Sequence, residues 1–63
     1  MSVKIGKHKV QFVRHGNVYF HGNVWAERTS DGWRAGAWEG DDYAEAEART
    51  LQAAYRSVAR AFA

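Results

Sequence analysis

His15-Gly16-Asn17-Val18-Tyr19-Phe20 is followed at once by His21-Gly22-Asn23-Val24-Trp25-Ala26, and the reading of these two six-residue blocks decides the fold. Each block sets a Gly-Asn step, which bends a backbone readily, before Val and an aromatic or small residue pair that suits a strand. Gly16-Asn17 reads as a two-residue hairpin turn with Gly first, as a type II′ turn prefers. Gly22-Asn23 admits two readings, a second turn or a bulge inside one long strand. A second turn would leave only Val18-Tyr19-Phe20 as a strand, so the bulge is preferred. Strands then run over 7–15, 18–29 and 33–38, with Ser30-Asp31-Gly32 as the turn before the third.

Downstream the period changes. Asp42 and Glu45 form a D-x-x-E capping box. Ala44, Ala48, Leu51, Tyr55, Val58 and Phe62 recur at three- and four-residue steps along one stripe. Glu45 and Arg49 lie four apart, acid first, the favourable order on a helix. A helix over 42–62 follows. The expected architecture is a single small α+β domain over residues 1–63, a three-stranded antiparallel β-meander packed against one C-terminal α-helix (βββα).

Pairing about Gly16-Asn17 sets His15 against Val18, Val13 against Phe20 and Lys9 against Val24. One sheet face then collects Ile5, Val13, Val18, Phe20, Val24, Ala26, Gly36 and Trp38, a core for the helix stripe. The other collects His8, Val10, Phe12, Arg14, Tyr19, His21, Trp25, Glu27 and Trp33. A true bulge at Gly22-Asn23 exchanges the faces of 24–29, burying Trp25 and exposing Arg28.

Composition narrows the function. Sixty-three residues allow one small core, and a domain of this size buries only roughly 60% of its unfolded surface. Cysteine is absent, so no disulfide or thiolate–metal site supplements that core. No apolar run approaches the ~20 residues of a membrane span, and Met1-Ser2-Val3-Lys4 leads into no signal-peptide segment. The expectation is a cytoplasmic protein without a membrane partner. The net charge of +2 is banded: residues 1–28 carry +4, residues 29–47 carry −5 and residues 48–63 carry +3. The last two bands suit the two ends of a helix dipole.

Metal and catalytic chemistry find little footing. In the unbulged register His15 lies on the face opposite His8 and His21, and the latter two stand ~13 Å apart at ~3.3 Å per residue. No metal site and no cofactor are expected. Ser2, Ser30 and Ser57 have no visible His-plus-acid setting, and Asp41 and Asp42 read as capping residues, so no enzyme is expected. Aromatic residues interleaved with basic ones are more informative. Bases stack on aromatic rings, while Arg and Lys hold phosphates or read guanine edges. Lys7, Lys9, Arg14, Tyr19, Trp25, Arg28, Trp33 and Arg34 are the candidate nucleic-acid-binding residues. The competing account is that the tryptophans form the core.

Trp25-Ala26-Glu27, Gly36-Ala37-Trp38 and the segment from Asp42 to Ala48 are similar to motifs of the AP2/ERF-type DNA-binding domains. The arm-binding domains of phage and transposon integrases share that three-stranded-sheet-plus-helix architecture. The resemblance covers about residues 22–55. It implies a sheet that enters the major groove of duplex DNA, and roles there for Glu27, Arg28 and Arg34. Three functions compete on these grounds. The first is a small DNA-binding regulator of a phage or mobile element. The second is an inhibitor or adaptor that binds a host protein through an exposed aromatic sheet face. The third is a homodimer that uses the same face.

Overall fold

The computed structural model describes residues 1–62. In chain order the elements are β1 (Ser2–Ile5), β2 (His8–Gln11), β3 (Val13–His15), β4 (Val18–His21), β5 (Val24–Thr29), β6 (Gly32–Glu39), β7 (Asp42–Ala48) and α1 (Leu51–Ala61). β1 and β2 form an antiparallel hairpin, and β3 to β7 form a five-stranded antiparallel sheet in chain order. The fold is therefore α+β with two sheets and a C-terminal helix. The three-stranded βββα meander is overturned.

The six-residue repeat accounts for much of the difference. Gly22-Asn23 is a hairpin turn, not a bulge, so each block supplies a two-residue turn and the start of the next strand. Gly16 and Gly22 have φ of +64° and +58°, a left-handed backbone that costs a residue with a Cβ roughly 1–2 kcal/mol. β4 has only four residues, but it pairs with β3 on one side and β5 on the other. Bonding on both edges sustains a strand too short to stand alone.

The helix starts nine residues later than its sequence pattern implies. Asp42–Ala48 is β7, paired with β6 from Trp33↔Ala48 to Glu39↔Asp42, so Asp42 and Glu45 cap nothing. Ala44 and Ala48 fit a helical stripe, but Ala46 lies between them, and Tyr43, Glu45 and Glu47 alternate with all three. Period two prevails over the helix preference of Ala and Glu, which amounts to a few tenths of a kcal/mol per residue. The actual N-cap is Thr50, whose side chain accepts a hydrogen bond from the Ala53 backbone N–H at 3.2 Å.

The expected first strand, 7–15, is broken at Phe12. Below the break β2 pairs with β1, and above it β3 pairs with β4. Phe12 fills the corner with no exposed surface. The Met1 amino group donates to the Phe12 carbonyl, and the Phe12 N–H donates to the Met1 carbonyl, each at 2.7 Å.

The core lies between the helix, the β1–β2 hairpin and one face of the five-stranded sheet. The sheet contributes Ala26, Ala35 and Ala37, the helix Leu51, Ala54 and Val58, and the hairpin side Val3, Ile5, Val10 and Phe12. This redistributes the two expected faces. Val13, Val18, Phe20, Gly36 and Trp38, expected inside, lie on the open side of the sheet. Val10 and Phe12, expected outside, are buried, and Tyr19 and Trp33 pack against the core. Alanines under the helix let it approach the sheet closely, and larger side chains there would hold it off.

Candidate binding face

The open face of the sheet is built by strand register. Val13, Phe20, Trp25, Gly36 and Glu45 form one cross-strand row, and Trp38 and Tyr43 form the next. Directly opposed side chains in such rows lie ~4.5–5.5 Å apart at Cβ and touch. Gly36 makes the centre hollow, since an added Cβ would come within 2.5 Å of the Trp25 indole and 2.6 Å of the Tyr43 hydroxyl. The indole fills that space and its Nε1–H donates to the Tyr43 Oη at 3.0 Å. Tyr43 and Trp38 pack at a ring-centroid separation of 4.5 Å. His15 and Phe20 meet edge to face at 5.8 Å. These contacts build an aromatic plate from two clusters, His15–Phe20 and Trp25–Tyr43–Trp38, which neighbour each other through the Phe20–Trp25 strand pair. Trp38 is 55% exposed, Val13 57%, Phe20 40% and Tyr43 40%.

Beside the plate runs the row Glu27, Arg34, Glu47. Arg34 pairs with Glu27 and lies over the Trp25 ring, 6.0 Å from its centroid. The hydrogen bond and charge of Glu27, with smaller contributions from Glu45 and Glu47, raise the Arg34 pKa above its ordinary value. Three carboxylates, Glu27, Glu45 and Glu47, thus share the face with one guanidinium.

The residues expected to bind nucleic acid divide among three places. Trp25, Glu27 and Arg34 come together on the open face. Arg14, Tyr19, Arg28 and Trp33 lie on the opposite, helix-bearing face. There Tyr19 and Trp33 pack at 5.7 Å, and the Arg14 Nε donates to the Gly16 carbonyl at 2.8 Å. Lys7 is in the β1–β2 turn and Lys9 is in β2. Phe20, Trp38 and Tyr43 were missed as surface residues, the first two assigned to the core and the third to a helix. The signal that could have found them is the six-residue turn period, together with strict alternation in Tyr43-Ala44-Glu45-Ala46-Glu47-Ala48.

Other chemistry is sparse among the described residues. The His21 Nδ1 lies 2.9 Å from the Gln11 carbonyl oxygen, and no group of three His, Asp or Glu side chains is placed to hold a metal ion. A hollow of about 280 Å³ between helix and sheet is lined by Asn23, Val24, Ala37, Tyr55 and Phe62, with Glu39 as its one carboxylate. Among the described residues no helix is long and apolar enough to cross a membrane. No protein-family model, curated protein or solved structure matches the chain.

Proposed function

We propose that this protein is a binding module whose open sheet face docks a protein partner, one offering apolar side chains rimmed by Lys or Arg. The observation that carries this reading is the pre-positioned plate of exposed Phe20, Trp38 and Tyr43 around half-buried Trp25, beside Glu27, Glu45 and Glu47. Trp and Tyr are enriched among residues that dominate protein interfaces. Rings already locked by mutual contacts lose little further freedom on binding. The neighbouring carboxylates favour a cationic rim, and a cation over an indole gains further attraction. A sheet that grips duplex DNA with this face would need cations here, and Arg34 is already engaged by Glu27.

The test is amide chemical-shift mapping with two extended peptides of equal length, one alternating Arg with Leu and the other Glu with Leu. The Arg–Leu peptide is expected to shift the amides of Phe20, Trp25, Gly36, Trp38 and Tyr43, and to lose this effect with Trp38→Ser. Equal response to both peptides, or shifts confined to the helix, would remove the reading. Sedimentation of the chain alone covers the competing occupant. A dimer abolished by Trp38→Ser would assign the face to a second copy.

A further inference from the structure

Most of the cations lie off the open face, and five of them surround the hairpin and the helix. Lys4 and Lys9 stand directly opposite each other on β1 and β2. Both point away from the core, because the alternating residues Val3, Ile5 and Val10 are buried. Lys7 occupies the hairpin tip between them. On the helix, Arg56 and Arg60 are four residues apart, hence on one stripe, and both are exposed. They line a single hollow together with Ile5, Tyr55 and Ala59. An added Cβ on Gly6 would lie 3.8 Å from the Arg56 guanidinium, which places the helix arginines beside the hairpin tip.

Among the described residues, the elements that build this surface bring no balancing charge. β1, β2 and α1 contain no Asp or Glu. The ion pair found among the described residues is Arg34 with Glu27, on the far face. Like charges directly opposed on a hairpin are destabilising, and so are like charges four apart on a helix. The fold thus carries two unfavourable pairs, one on the outer face of the hairpin and one on the helix, meeting at the Gly6 turn beside Arg56, and a polyanion that spans both would relieve them.

We infer that the hairpin–helix surface formed by Lys4, Lys7, Lys9, Arg56 and Arg60 binds the phosphate backbone of duplex nucleic acid. Phosphate binding needs several cations on one surface and no base-reading side chains. An interfacial membrane anchor would also need large apolar side chains among the cations. Here the exposed residues interspersed with them, Ser2, Gly6, His8, Ser57 and Ala59, are small or polar. The site shares no residue with the open aromatic face, so the two readings stand or fall separately.

The experiment is fluorescence anisotropy of a labelled mixed-sequence duplex with the full chain, between 50 and 200 mM salt. Three to five phosphate contacts at a slope near −0.9 each predict a loss of affinity of roughly 40- to 500-fold across that interval. The pair K4Q/K9Q should lower the slope by about 1.8, and R56Q/R60Q by a similar amount. Both paired variants should melt at or above the wild-type temperature, since each removes a like-charge pair. Trp38→Ser should bind duplex as the wild type does. The assignment is overturned by no binding at about 100 µM chain and 50 mM salt, the weak end of non-specific affinity. It is equally overturned by slopes unchanged in both variants, by variants that melt lower, or by preference for phosphatidylglycerol vesicles over duplex.

Discussion

The two faces of the five-stranded sheet are made by the same strands, yet the patch directly under the helix is alanine while the open face leaves aromatic rings exposed. The helix-bearing face buries Ala26, Ala35 and Ala37 almost completely, while the open face leaves Trp38 and Phe20 at 55% and 40% exposure. A helix can seat Leu51, Ala54 and Val58 closely only on a surface of small residues. Tyr19 and Trp33 flank that alanine patch on the helix-bearing side, whereas Phe20, Trp25, Trp38 and Tyr43 lie on the other side, with the Trp25 ring over Gly36. Apolar area alone would assign the core to the aromatic face, and packing assigns it to the alanines.

A domain of this size is stabilised by on the order of 3–9 kcal/mol. Phe12→Ala should cost about 3–5 kcal/mol, the range for a truncated buried phenylalanine, and leave the chain largely unfolded in thermal melts. A melt close to wild type would mean that the hairpin is not docked on the sheet. Ala35→Leu tests the alanine face by overfilling it. It should cost about 1–3 kcal/mol even though it adds apolar surface, as read by urea denaturation. A stabilised variant would show that the helix has room to spare.

Effects on the open face should be smaller and of another kind. Gly36→Ala drives a Cβ into the Trp25 and Tyr43 side chains, which can swing into solvent. We expect a cost of about 1 kcal/mol, at the low end for overpacking, with a changed near-UV circular dichroism spectrum. An unaltered aromatic spectrum would mean that the plate is not locked over Gly36. Trp38→Ser should stay well below Phe12→Ala, at about 0.5–1.5 kcal/mol for the lost ring contact with Tyr43, although it removes the largest side chain of the set. A cost comparable to Phe12→Ala would place Trp38 in a core and end the distinction between the faces.

Local chemistry in the sequence determined a good deal. Gly16-Asn17 specifies its turn and with it the register Val13↔Phe20 and His15↔Val18, because a two-residue loop leaves no freedom in which residues oppose one another. Leu51, Tyr55, Val58 and Phe62 mark the inner stripe of the helix by spacing alone. In the candidate site, Trp25 and Arg34 could be named from residue type and Glu27 from the family resemblance, whereas their neighbours Phe20, Trp38 and Tyr43 could not. Tertiary structure decided the rest. Whether Gly22-Asn23 turns or bulges depends on β3 and β5 both being present to bond a four-residue strand. Whether Asp42–Ala48 is strand or helix depends on the free edge of β6, which offers a ladder that outweighs a weak local preference. Which sheet face becomes the core depends on the distance at which a helix can pack. Each of these is settled by contacts between elements, and the traces that residue spacing leaves, the six-residue turn period and the alternation from Tyr43 to Ala48, compete with a helical spacing of the same alanines.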